Sequence, residues 1–156
     1  MNVEFLIKDN NGTFIKFDKN NFELIESILY SNDCKEEYEN ILFSDRVFIN
    51  KLPFYEFKIT TDEDFNAMYF EFSEGVEFNK YSILKSKHKN IGNIGFCSPD
   101  KEFYIITKNE IVNNKIKITK KTGKDNILYL FFNKNKTKQN IEIVKKIICN
   151  IKITEL

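Results

Sequence analysis

The sequence predicts an α+β fold, a single domain over residues 1–156 built on a mostly antiparallel, twisted sheet of about six to eight strands. Three observations carry that prediction. Aromatic and β-branched residues alternate with polar ones at period two along much of the chain. Helical spacing replaces that alternation near residues 20–43, with room for one or two helices, and again near residues 137–150. Finally, the run Asn126-Ile127-Leu128-Tyr129-Leu130-Phe131-Phe132 leaves no polar face, so a strand here must be covered on both sides. It is the expected central strand.

Taken in order, the first element is a hairpin. Val3–Lys8 and Thr13–Asp18 flank Asp9-Asn10-Asn11-Gly12. A three-residue loop places Gly12 in the left-handed conformation that glycine tolerates best. That register sets Lys8 opposite Phe14, Ile7 opposite Ile15 and Phe5 opposite Phe17, with Val3, Phe5, Ile7, Ile15 and Phe17 on one buried face. From Asn20 the period changes: Phe22, Ile25, Ile28 and Leu29 lie at helical spacing, and Asn20 with Glu23 reads as a capping pair. A second helix starts at Asp33, turning Tyr38, Ile41 and Leu42 inward.

After Pro53, Tyr55, Phe57 and Ile59 alternate with polar residues, and beyond a polar turn Met68, Phe70 and Phe72 do the same. Thr61 and Asp64 also have the spacing of a helix-opening capping box, but the aromatic alternation favours a strand. Tyr81–Leu84 and Ile94–Cys97 are weaker strands, and Gly92-Asn-Ile-Gly95 reads as a β-turn. Ser98-Pro99-Asp100-Lys101 is a turn with proline at its second position, followed by a strand over Phe103–Thr107. Lys115–Thr119 is expected to pair with the central run, Ile118 opposite Ile127 and Ile116 opposite Tyr129. Last, Thr137 opens a helix with Ile141, Val144, Ile147, Ile148 and Ile151 on one stripe.

Composition bounds the function. Sixteen Phe and seven Tyr within 42% hydrophobic residues supply an ample core. The start of the chain does not show a basic stretch followed by a long apolar core, and no window approaches the roughly 18 apolar residues of a membrane span. Cys34, Cys97 and Cys149 are odd in number and widely spaced, which argues against a disulfide framework or a zinc site. A cytoplasmic setting, without membrane, is the expectation. The formal net charge of +1 hides a division: 7 Lys+Arg against 17 Asp+Glu up to Phe78, and 17 against 6 from Asn79 onward. Either the halves form two faces, or acidic and basic segments interleave and pair across strands.

None of the familiar chemical constellations is present. His88 is the sole histidine and sits among lysines, so a multi-histidine metal site is excluded. A His88–Cys97 nucleophile pair lacks any supporting signature. Gly92-Asn-Ile-Gly95 lacks the Gly-Lys-Ser/Thr of a phosphate-binding loop and the third glycine of a dinucleotide fingerprint. No cofactor or metal is expected. Lys115, Lys117, Lys120, Lys121, Lys124, Lys134, Lys136 and Lys138 raise nucleic-acid binding by the basic C-terminal half. The chain's one arginine, Arg46, and the amphipathic pattern of Lys115-Ile-Lys-Ile argue for a solvated strand face instead.

Elimination leaves a non-enzymatic, protein-binding domain. The expected kind is a small immunity or inhibitor protein that neutralises a basic partner, such as a cognate toxin, through an acidic patch. Asp62, Glu63, Asp64, Glu71, Glu74 and Glu77 are the expected contact residues. The alternatives are a hydrophobic-ligand carrier with a Phe-lined cavity and, after it, the nucleic-acid binder.

Overall fold

Asp9 organises the first hairpin. Its Oδ1 accepts the N–H groups of Asn11 at 2.9 Å and Thr13 at 2.8 Å, while the Gly12 N–H bonds to the Asp9 carbonyl at 3.1 Å. Gly12 takes φ +81° in the left-handed region, as a three-residue loop requires. Strand β1 (Val3–Lys8) therefore meets β2 (Phe14–Phe17) with Phe5 facing Phe17, Ile7 facing Ile15 and Lys8 facing Phe14. One expectation fails here: Ile15 is 39% exposed, because β2 lies at a sheet edge with no neighbouring strand on its outer side among the described residues.

The computed structural model describes residues 3–9, 11–29, 54–62, 65–72, 76–88, 92–100, 102–119, 128–133 and 137–156. The second helix expected at 33–42 lies outside them. Helix α1 (Glu23–Leu29) buries Ile25 and Leu29, and Phe22, just before it, is buried as well. It begins later than an Asn20 cap implies. Asp18 makes the preceding turn, its Oδ1 accepting the Asn20 N–H and its carbonyl the Asn21 N–H, both at 2.9 Å.

The remaining elements are β3 (Phe54–Thr61), β4 (Ala67–Phe72), a 3-10 turn (Phe78–Lys80), β5 (Ser82–His88), β6 (Gly92–Cys97), β7 (Phe103–Ile106), β8 (Glu110–Val112), β9 (Lys115–Thr119), β10 (Leu128–Asn133), α2 (Thr137–Cys149) and β11 (Ile151–Glu155). Among the described residues they form two antiparallel sheets rather than one. The larger runs β2-β1-β3-β10-β7-β6-β5 and the smaller β11-β4-β9-β8. Mostly sheet with some helix is the outcome, as expected, but with more strands than the alternation alone revealed.

β10 is the middle strand of the larger sheet, and Leu128 to Phe132 are buried on both faces. On one face an apolar row crosses the whole sheet in register: Ile83, Phe96, Ile105, Leu130, Phe57, Ile7, Ile15. This face joins α1, α2 and the inner side of the smaller sheet (Met68, Phe70, Phe72, Ile116, Ile118, Ile151) in one core cluster. Many of its phenylalanine rings meet edge to face, including Phe17 with Phe57 at 5.8 Å and Phe57 with Phe132 at 5.6 Å. The opposite face buries Cys97, Tyr104, Ile106, Tyr129 and Phe131.

Three further expectations are corrected. β9 does not pair with β10. Its Ile116 and Ile118 face Phe70 and Met68 in the smaller sheet, whereas β10 lies between β3 and β7. The reason is burial: β9 has one half-exposed polar face and suits a sheet solvated on one side, while β10 has none and needs cover on both. Gly92–Gly95 is not a turn but part of β6, where buried Gly95 faces Leu84 and Ile106. Ile151 does not continue the helix. Asn150 closes α2, its Nδ2 donating to the Lys146 carbonyl at 2.7 Å, and Ile151 begins β11 against Phe72. Among the described residues no helix is long and apolar enough to cross a membrane.

Candidate functional site

The turn between β6 and β7 is held by its own side chains. Ser98 donates its hydroxyl to Asp100 Oδ1 at 2.5 Å and accepts the Phe103 N–H at 3.0 Å. Asp100 Oδ1 also accepts the Glu102 N–H at 3.1 Å, and the Ser98 N–H bonds to the Phe103 carbonyl at 2.9 Å. These bonds fix the Asp100 carboxylate, and the backbone of Glu102, at the end of the larger sheet. Below them the Phe103 ring stacks on Phe132, with centroids 4.6 Å apart and planes 20° apart. Tyr81, just before β5, stands edge-on to Phe103 at 6.2 Å and to Phe78 at 5.4 Å.

Helix α2 closes the far side, and the result is a cleft of about 120 Å³. Tyr81, Phe103, Phe132, Ile143 and Ile147 supply its apolar walls, with Ser98, Pro99, Asp100 and Glu102 on the polar side. Ile143 is 44% exposed at its mouth. Burial pushes the Tyr81 phenol well above its ordinary range, and the nearby Asp100 carboxylate and Cys97 thiol push it in the same direction. The hydroxyl is therefore a neutral donor at neutral pH. Aromatic walls, a neutral phenol and two carboxylates make a surround for a cationic group with an apolar stem.

Of the six acidic residues expected to bind a partner, the three described ones, Asp62, Glu71 and Glu77, do not line this cleft. Asp62 is exposed at the end of β3. Glu71 lies on the outer face of β4 with Lys115 and Lys152 directly opposite it on the two neighbouring strands. Glu77 pairs with Lys80 at 2.7 Å. Glu63, Asp64 and Glu74 lie outside the described residues. On the smaller sheet, acidic and basic segments thus interleave: Glu71 lies between two lysines, and Glu110 faces Lys117.

Lys115 and Lys117 share that half-exposed face, where the Lys115 ammonium lies 5.6 Å from the Tyr69 ring. Lys120, Lys121, Lys124, Lys134 and Lys136 are outside the described residues, and Lys138 lies on α2. His88 and Cys97 are kept apart, since His88 faces Gly92 while Cys97 faces Ser82 at the other end of the same strand pair. That separates them by roughly 17 Å along the strands. Among the described residues no group of three or more His, Cys, Asp or Glu is placed to hold a metal ion. A second depression, of about 420 Å³, runs along the outer side of α2 from Glu142 to Asn150, and no phenylalanine lines it.

Sequence reasoning missed the cleft because its walls come from four separate stretches that only the fold brings together. One signal was available. Asp100 and Glu102 are two of six acidic residues in the basic half of the chain, and they stand together beside an aromatic strand. Comparison with known protein families, with curated proteins and with solved structures finds no match for this chain.

Proposed function

We propose that this chain is a non-enzymatic, protein-binding domain of the immunity or inhibitor kind, which neutralises a basic partner by occupying part of its surface. The cleft beside the β6–β7 turn carries the reading. Pockets that bury a small-molecule ligand run to about 300–1,000 Å³. At about 120 Å³ this one fits the end of a single side chain. Its carboxylates favour a cationic guest and its exposed neighbour Ile143 offers an apolar contact at the mouth. Anchor residues set in small pockets and ringed by weaker contacts are how protein interfaces concentrate their affinity. Asp62, exposed at the end of β3, then contributes to attraction at a distance rather than to the anchor.

The test is capture followed by neutralisation. The full chain, immobilised, is exposed to a lysate of its host at low and high salt, alongside Ile143→Asp and Glu102→Lys variants. The expected result is one basic protein, retained at low salt and lost with either variant. Expressed alone in a test host, that protein should arrest growth, and co-expression of this chain should restore it. A captured protein that binds both variants as well as the unaltered chain, or whose effect on growth the chain leaves untouched, overturns the proposal.

A further inference from the structure

The cleft opens beside a sheet edge that carries no further strand among the described residues. β5 is the last strand of the larger sheet, and Ile83 on it is 71% exposed. A lone exposed isoleucine is unremarkable on any protein surface. Ile83 is different in that it ends the apolar row that runs from Phe96 through Ile105 and Leu130, so the row stops one strand short of being covered. Tyr81 stands two residues before it, on the same face by the period of a strand, and Tyr81 forms a wall of the cleft. Its backbone, at φ −82° and ψ 143°, is extended, so the line of β5 already continues to the cleft.

The other half of this edge is less suited to pairing. Its register shifts between Lys85 and His88, and lysines occupy positions 85 and 87. Irregular pairing and lysines are both devices that discourage strand addition. The regular part of the edge is therefore the part next to the cleft.

From this placement we propose that the partner enters as an extended segment that pairs antiparallel with the first half of β5, sets an apolar side chain against Ile83, and two residues later puts a lysine or arginine into the cleft. The inference rests on reading the cleft as a docking site for a basic protein, and specifies how that protein is held. Strand addition supplies main-chain hydrogen bonds, and alternate side chains supply specificity. Every described pair in the larger sheet is antiparallel, so an antiparallel segment extends the existing order. In that direction the residue facing Ile83 precedes the one facing Tyr81, giving the order apolar, any residue, cationic.

Short capped peptides test this against the full chain. One carries Ile-Thr-Arg between threonines, a second carries Ile-Thr-Glu, and a third carries Ile-Arg-Thr so that the arginine falls on the wrong face. Binding is followed by nuclear magnetic resonance, with hydrogen exchange of the β5 amides as the second readout. The first peptide should bind at least tenfold more tightly than the others, slow the exchange of alternate amides from Ser82 onward, and lose affinity with Ile83→Ser or Glu102→Gln. Equal binding of all three peptides, or binding without protection of β5, overturns the strand-addition proposal. The two readings fail separately: a captured partner that this peptide does not displace removes the proposed geometry and leaves the protein-binding reading standing. A peptide that binds as expected, together with a captured partner whose effect on growth the chain leaves untouched, does the reverse.

Discussion

The Asn114 carboxamide reaches out of the turn between β8 and β9 and accepts the N–H of Phe78 at 2.9 Å. The same side chain donates from Nδ2 to the carbonyls of Phe72 at 2.6 Å and Val76 at 2.9 Å. One residue thus ties a hairpin turn to the segment that leads into Tyr81 and the cleft. Asn113 and Asn114 hold this turn at φ 49° and 62°, a left-handed pair that asparagine adopts more readily than most residues. Asn114→Ala removes three hydrogen bonds and places a β-carbon residue in the left-handed region. The expected loss is about 2–4 kcal/mol in urea unfolding. Asn114→Gly loses the same bonds without the backbone penalty and should be about 1 kcal/mol less destabilised. Equal losses for the two would show that the left-handed backbone contributes nothing.

The apolar row of the larger sheet separates core from edge. Leu130, at its centre, is fully buried, and Leu130→Ala should cost about 2–5 kcal/mol by removing methyl groups from a packed site. Ile83 occupies the same row but is 71% exposed, so Ile83→Ala should change stability by no more than about 0.5 kcal/mol. Denaturant unfolding of the two variants checks both values. A large loss at Ile83 would mean that it is a core residue and not a surface left for a partner.

How much of this was legible beforehand follows from how local the determinants are. The first hairpin could be read to the residue because Asp9 and Gly12 lie within its own loop. The central position of β10 followed from its lack of a polar face. The sheet to which β9 belongs did not follow, because Lys115-Ile-Lys-Ile specifies which face is buried and not against which strand. β8 is three residues long, too short for alternation to register. Ile151 satisfies both the helical stripe of α2 and the alternation of β11, and what separates the two is Asn150, whose side chain bonds back to Lys146 and closes the helix. The cleft depends on α2 meeting the β6–β7 turn, a long-range contact that no local pattern encodes.

A buried ion pair offers a third test. Glu56 is 6% exposed on the face of β3 opposite Phe57, and its Oε2 lies 3.1 Å from the Lys8 ammonium on β1. The Lys8 ammonium also lies 5.7 Å from the Phe14 ring. Replacing lysine alone leaves a carboxylate in a poorly hydrated place. Lys8→Met should therefore cost about 1–3 kcal/mol, less than a fully buried pair because the lysine side chain keeps some solvent. The double variant Lys8→Met with Glu56→Met should recover most of that loss, since no charge then remains to be desolvated. If the double variant is as unstable as the sum of the single ones, the pair is not what couples these strands.

Alkaline pH should weaken the fold through Tyr104. This residue is buried on β7, where it faces Cys97 on one side and Phe131 on the other. Burial raises its phenol pKa far above the ordinary 10.0, and the Cys97 thiol beside it, which shares a hydrogen bond with it, adds to the shift. Tyr81 is shifted the same way, by burial first and then by Asp100 and Cys97. The folded state thus holds these protons to higher pH than the unfolded chain does. Their contribution is complete below the unfolded value near pH 10 and is lost as pH rises from there toward the folded value. Urea unfolding measured at steps between about pH 9 and 11 should show stability falling with pH in the unaltered chain. Tyr104→Phe should fall less steeply, because phenylalanine has no proton to lose in the unfolded state. The difference between the two curves isolates this residue, and parallel curves would place its phenol in water.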